Sequence, residues 1–401
     1  MHFIHNTFKT IQFSVYFTAE DDLKTRAYRN VLPNILTKTN DQYQTKLTLN
    51  EHLEHLYGAY FRQKIEKFGN MSVMSITLTI PDPQIVRDPQ LFDQALTLFK
   101  STIFNRNIIS EDAFLEDKRN YLEFFEGIKE RKRQYAQFKF YEHFFKGDID
   151  GYPLERKISA IKKMTFKGLQ NYYHSLFIDN RMEIIVNGHL NEDMKLKIKQ
   201  AFNEQPEHPY HMITEFRKPN PVQTIREKMD TKQAIIMIGY ILPIFIKDEL
   251  YEASMLLDTI LGETPESRLF QKIREEKGLC YDVSSSYDPY KGVLTVHSGV
   301  SLEQKEEALN AMIELIDDVK TNYITQEELE NAKFYYAHLL KSNSDSQSTL
   351  TRRLFMNLLL NDFSTLDDRL DRISKVTLED VKKVIDQLKL DTIYMLEDNH
   401  D

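Results

Sequence analysis

The stretch ILGETPESRLFQKIREEKGLCYDVSSSY, residues 260–287, lies between two strand-like runs. Upstream is AIIMIGYILPIFI (234–246), the longest apolar run in the chain. It is too short to cross a bilayer and suits a buried strand. Downstream is KGVLTVHSGV (291–300), which alternates like a strand and precedes an amphipathic helix pattern, EQKEEALNAMIELIDDV (303–319). Strands and long helices thus follow one another around residues 260–287, an α+β pattern.

The same succession occurs earlier in the chain. MSVMSITLTI (71–80) alternates like a strand and precedes the helix pattern DPQLFDQALTLFKSTIF (88–104). ISEDAFLEDK (109–118) answers ITQEELENAK (324–333), each with Ser or Thr ahead of acidic residues, as at a helix start. IKKMTFKGL (161–169) answers ISKVTLEDV (373–381), with Thr as the cap in both. Each series ends in a strand-like run, RMEIIVNGHL (181–190) and DTIYMLED (391–398). Such an ordered series at near-constant offset predicts an internal duplication. The proline-bearing stretch 204–222 reads as the linker, which gives domains 1–203 and 223–401.

Bulk composition narrows the function classes. The 401 residues suit two domains, and 41% hydrophobic with 28% charged residues is ordinary for a globular chain. A formal charge of −9 argues against nucleic acid as the main partner. The single cysteine, Cys280, excludes a disulfide framework and a cysteine-rich metal site. MHFIHNTFKT (1–10) lacks the charged-then-apolar run of a signal peptide, so a cytoplasmic protein is expected, with no membrane partner. No phosphate-binding glycine loop and no G-x-S-x-G elbow is present.

One segment invites a metal. LTLNEHLEHLYGAY (47–60) contains H-L-E-H, one residue short of the H-x-x-E-H of zinc peptidases. Read as a helix, it places Leu49, Leu53, Leu56 and Tyr60 on one apolar stripe. His52 then sits at the edge of that stripe and His55 well off it, with Glu54 facing away from His52. A glutamate there cannot reach a water on a metal held by both imidazoles. The segment reads as a solvated helix face.

Ser267, Arg268, Leu269, Phe270, Ile273, Arg274, Glu275, Gly278, Leu279 and Tyr281 reproduce the pattern S-R-L-F-x-x-I-R-E-x-x-G-L-x-Y. This resembles the C-terminal domain of the M16 peptidase family (insulinase, pitrilysin and mitochondrial processing peptidase). QAIIMIGYILP (233–243) and YEASMLLDTILG (251–262) are similar to that domain's first strand and the helix before the pattern. The resemblance implies two homologous M16-type domains, each a mixed, mostly antiparallel sheet covered by helices. In active members H-x-x-E-H lies on the first helix of the N-terminal half. Here that helix is RAYRNVLPNILTKTN (26–40), with Asn30 and Asn34 at the histidine positions and Pro33 at the glutamate position. Neutral Asn is a poor zinc ligand and Pro cannot act as a base. The further glutamate ligand would fall on Glu116, Glu123 or Glu126. FKTIQF (8–13), NVLPNIL (30–36), LYGAYF (56–61) and KERKRQYAQFKFYEHFF (129–145) most resemble a bacterial, metal-site-less branch. That branch is encoded beside an active partner and associated with 5-aminopentanol modification of elongation factor P.

The resemblance implies a subunit with no cofactor of its own, paired as a heterodimer with an H-x-x-E-H paralogue that carries zinc. An extended peptide would be held in the shared chamber. In such pairs the metal-less subunit supplies an Arg and a Tyr, which fall here on Arg274 and Tyr281. A guanidinium offers fixed donors to a peptide carbonyl, and a phenol can bond the oxyanion formed at the scissile carbon. Arg268, Gly278 and Ser284 are the accompanying substrate-contact candidates. The plainer reading pairs Arg274 with Glu275 or Glu276 and packs Tyr281 in a strand. Two other functions compete: a peptide-binding scaffold without proteolysis, and a self-sufficient peptidase using His52 and His55. Purified alone, the chain could self-associate as a homodimer.

Overall fold

A computed structural model describes residues 1–104, 110–202, 221–343 and 346–399. All of the 204–222 stretch except Pro221 and Val222 lies outside the described residues. The chain forms two compact units. The first holds Met1–Glu126, the chain from Glu155 to the helix Glu192–Ala201, and Asn343–Phe363. The second holds Gly127–Leu154, the chain from strand Gln223–Lys228 to Ser342, and Ser364 onward.

The first unit carries strands β1 (His2–His5), β2 (Thr10–Glu20), β3 (Tyr60–Phe68), β4 (Met71–Pro81) and β5 (Arg181–Gly188). Their order is β1-β5-β2-β4-β3, with β1 and β5 parallel and every other pair antiparallel. β2 shows why the sheet is two-sided. Its odd residues Ile11, Phe13, Val15 and Phe17 are buried, and Phe13 packs on Phe92 and Phe99 of the helix Leu91–Ile103. Its even residues are Gln12, Ser14, Tyr16 and Thr18. They face the helix Gln347–Leu360, where Tyr16 stacks on Phe355 at 4.0 Å and Gln12 Nε2 donates to Ser348 Oγ (3.3 Å). Gln347 pins that helix, donating from Nε2 to Thr10 O and Asn187 O, both at 2.8 Å.

The second unit repeats the plan with β6 (Gln223–Lys228), β7 (Ala234–Ile241), β8 (Cys280–Asp288), β9 (Val293–Val300) and β10 (Lys389–Glu397). The order β6-β10-β7-β9-β8, with β6 and β10 parallel, is that of the first sheet strand for strand. Ile236, Ile238 and Tyr240 of β7 join the core with the helices Tyr251–Asp258 and Lys305–Thr321. Gly239, on the other face, receives Phe144 of the helix Lys132–Phe144, where a Cβ would stand 2.6 Å from the ring. The expected α+β duplication of mixed, mostly antiparallel sheets is what the chain adopts.

Helix starts follow the capping residues. Thr165 accepts from Gly168 N (3.0 Å), Thr377 from Asp380 N (3.2 Å), Ser110 from Ala113 N (3.2 Å) and Thr325 from Glu328 N (3.2 Å). One boundary differs. The helix carrying H-L-E-H spans Lys46–His55, and Tyr60 opens β3 rather than extending the apolar stripe. Tyr57 and Gly58 adopt φ of 56° and 76°, a left-handed turn that ends the helix before Tyr60. Among the described residues no helix is long and apolar enough to cross a membrane.

Candidate functional site

The position expected for the zinc motif lies on the helix Leu23–Leu36. Asn30 Nδ2 donates to Arg26 O (2.7 Å) within its own helix, and Asn34 Oδ1 accepts from Gln63 Nε2 of β3 (2.8 Å). Pro33 is buried in the helix and carries no N–H for the carbonyl of Arg29. The neighbouring Arg29 is buried and bonds Tyr172 OH (2.9 Å), Asn180 Oδ1 (2.7 Å), Ser72 O (2.7 Å) and Phe17 O. That guanidinium ties the helix to β2 and β4 with neutral acceptors and leaves a positive charge beside the motif. A divalent cation would find two amides, an imino acid and a buried cation there, which do not fit it. Each of the three candidate glutamates has a cation already. Glu116 meets Lys38 (3.1 Å), which holds its carboxyl below the usual range, Glu123 meets Arg119 (3.9 Å), and Glu126 meets Lys162 (2.8 Å). Among the described residues no three His, Cys, Asp or Glu side chains are grouped to hold a metal ion.

H-L-E-H has another use. His52 stacks on Tyr43 with ring centroids 4.4 Å apart, and burial, helped by His55, pushes its pKa down. His55 and Glu54 are exposed.

Residues 260–287 are shaped by two π turns, Thr259–Glu263 and Phe270–Glu276, which lead into β8. Arg268 turns to Glu328 and binds it bidentately, Nε at 2.6 Å and Nη2 at 2.9 Å. Glu328 also accepts from the Thr325 backbone N–H (2.7 Å) in the reciprocal cap of the helix Gln326–Asn343. Burial raises that carboxyl, but the hydrogen bonds from Arg268 and Thr325 outweigh it and hold it at about 2. Gly278 takes φ of 63° and its N–H bonds Arg274 O (3.2 Å), closing the π turn as only a residue at ease in that region can. Ser284 Oγ lies 2.9 Å from His297 Nε2 on β9. Burial, and then the charge of Arg133, lower the pKa of that imidazole.

Arg274 and Tyr281 are placed differently from these. The Arg274 guanidinium lies 4.5 Å over the Phe270 ring and 3.6 Å from Glu275, with 41% of the side chain exposed. An exposed pair of that length holds the group weakly. Tyr281, at the start of β8, is 72% exposed, so it does not pack in the core. The segment therefore presents a guanidinium and a phenol to solvent on either side of the Gly278 turn.

Asp258 carries no sequence signal, yet it organises the outer edge of β8. It is buried, accepts from Ser285 Oγ (2.5 Å) and from the Tyr287 backbone N–H (2.9 Å), and burial raises its pKa to about 6. Beside it, a Cβ on Gly262 would stand 2.3 Å from Ser285 N. Helix and π turn 251–263 thus cover this part of the β8 edge, although β8 ends its sheet. β3, the corresponding end of the first sheet, is exposed along most of its length.

Residues 163–336 match the family described as "Peptidase M16 inactive domain". The chain is 23% identical over 376 residues to the "Probable inactive metalloprotease YmfF" of Bacillus subtilis, covering 92% of this chain and 88% of that one. It is 28% identical over 242 residues to the "Uncharacterized zinc protease YmxG" of the same organism, over 59% of this chain and 58% of the relative. The fold matches a conserved protein from Enterococcus faecalis with a TM-score of 0.90 at 24% identity, over 100% of this chain and 96% of the other. It also matches a peptidase M16 inactive domain from Pseudomonas fluorescens, with a TM-score of 0.81 at 19% identity over 99% and 95%. Over residues 163–336 the chain is similar to the peptidase M16 family, and its relatives include proteins named as inactive.

Proposed function

We propose that this chain is the substrate-binding subunit of a heterodimeric zinc peptidase. It pairs with an M16 paralogue carrying H-x-x-E-H, helps enclose an extended peptide, and offers Arg274 and Tyr281 to the partner's zinc site. The observation that carries the reading is the contrast between the two halves of the chemistry. The expected metal positions hold Asn30, Pro33 and Asn34, a set that fits zinc poorly, while Arg274 and Tyr281 stand exposed in the part of the chain that resembles the family pattern. A weakly held guanidinium can leave Glu275 for a peptide carbonyl, and an exposed phenol can reach an oxyanion. The peptide is held by adding as a strand to a sheet edge, for which β3 offers an exposed edge strand.

The test mixes the chain with an H-x-x-E-H paralogue and follows cleavage of an extended fluorogenic peptide. Cleavage is expected only in the mixture and falls ~10²–10³-fold with Tyr281→Phe, the cost of one oxyanion donor. Arg274→Ala raises KM more than it lowers kcat, because it removes a substrate contact. If both variants cleave like the unaltered mixture, the site assignment is wrong. Stoichiometric zinc on the chain alone, lost with His52→Ala, would instead make it a peptidase in its own right.

A further inference from the structure

We infer that the peptide held on β3 is acidic. This rests on the peptide-holding reading above and adds to it the chemical class of the substrate.

Residues Arg62 and Lys64 are exposed and two apart on β3, so they project from the same face of the edge strand. Their partners on β4 are Thr77 and Ser75, small and uncharged. The helix Gln347–Leu360 brings a third cation to that face, Arg352, which is also exposed and lies over the Phe68 ring at 5.5 Å. One carboxylate serves two of the three. Glu66 Oε1 is 2.9 Å from Lys64 Nζ and also accepts from Arg352 Nη1. Arg62 has no ion-pair partner among the described residues. Two cations share the one carboxylate and Arg62 is left over, so this face of the edge strand carries an excess of positive charge in a chain whose overall charge is −9. The excess is therefore local and not a property of the surface at large.

An added strand lays its alternate side chains beside those of the edge strand, and opposite charges at facing positions attract. Aspartate or glutamate at alternate positions of an extended segment would face Arg62 and Lys64 in register. Like charges facing these two would repel. In the second unit, by contrast, Asp258 and Gly262 pack against the β8 edge at Ser285 and Tyr287.

The experiment measures fluorescence anisotropy of the full-length chain with three labelled extended peptides of equal length. One has Glu at alternate positions, one Gln at the same positions, and one Lys. The acidic peptide is expected to bind about tenfold tighter than the Gln peptide, as two or three exposed ion pairs would give. The advantage should shrink as salt rises. Arg62→Glu with Lys64→Glu should abolish it, and the milder Arg62→Gln with Lys64→Gln should do the same if the reversal impairs folding. Equal binding of the Glu and Gln peptides overturns the charge inference and leaves peptide holding intact. An acidic preference that survives both double variants overturns the location. Failure of all three peptides to bind, alone or with the zinc-bearing partner, overturns the peptide-holding reading and this inference with it.

Discussion

Single residues decide the chemistry here, and they differ in how far sequence alone exposes them. Asn30, Pro33 and Asn34 are legible because their side chains are poor ligands whatever the fold does. The partners of Arg268 and Arg352 are not, because Glu328 lies 60 positions and Glu66 286 positions away and no local pattern links them. Asp258 is likewise silent until the fold buries it under β8. Its buried state has a measurable consequence. Burial raises its pKa from 3.8 to about 6 in the folded chain, so the native state holds a proton that the unfolded state has released between those values. Stability therefore falls as pH rises through that window and levels off above pH ~6, by about 3 kcal/mol in all, of which about 2 kcal/mol falls between pH 4.5 and 7. Asp258→Asn stays neutral, and its amide oxygen can still accept one of the two hydrogen bonds. Urea unfolding at pH 4.5 and pH 7 should show the variant gaining about 2 kcal/mol on the unaltered chain across that interval. Parallel pH dependence of the two proteins would show that Asp258 ionises normally.

Elements were legible where a physical signal is local. The buried run of β7 and the Thr caps at 165 and 377 mark their elements from sequence, because apolar runs and capping oxygens act within a few residues. The helix ending at His55 was harder, since Tyr60 continues the stripe by spacing while Tyr57 and Gly58 turn the chain away. The π turns at 259–263 and 270–276 were not legible, since apolar spacing reports a helical face and not an extra residue in one turn. The first turn owes its fit to Gly262. A methyl there meets the backbone nitrogen of Ser285 at 2.3 Å and its Oγ at 2.6 Å, and a strand backbone cannot give way as a flexible side chain would. Gly262→Ala is expected to cost ~1–3 kcal/mol, the usual range for overpacking, and to disturb the β8 edge first. Thermal unfolding checks the first part, and hydrogen exchange at Ser285 and Tyr287 checks the second. Unchanged stability would mean that the turn shifts freely and that its contact with β8 is loose.

At the scale of the whole molecule, the duplication read from sequence and the compact units seen in space do not share their boundaries. Residues 1–203 contain the whole first sheet and 223–401 the whole second. Yet 127–154 from the first half belongs to the second unit, and 343–363 from the second half belongs to the first. Sequence could not show this. The helix KRQYAQFKFYEHF spreads aromatic residues around its surface and does not say which sheet it covers. In the second unit that helix buries Tyr135, Phe140 and Phe144. Burial of each such side chain is worth ~1.5–3 kcal/mol, so the three together approach the ~5–15 kcal/mol that holds a domain folded. In the first unit the returning helix supplies Phe355 against Tyr16, and Gln347 to carbonyls of β2 and β5. Each half made alone therefore lacks part of the unit built on its sheet. Fragments 1–203 and 223–401 expressed separately should be unfolded or aggregated, with little near-UV circular dichroism. Expressed together, they should co-purify and recover a cooperative melt, because the missing helices are then present without a covalent link. A fragment 1–203 that alone melts cooperatively at the temperature of the full chain would show that the helix Gln347–Leu360 is dispensable, and that the halves, not the compact units, are the folding modules.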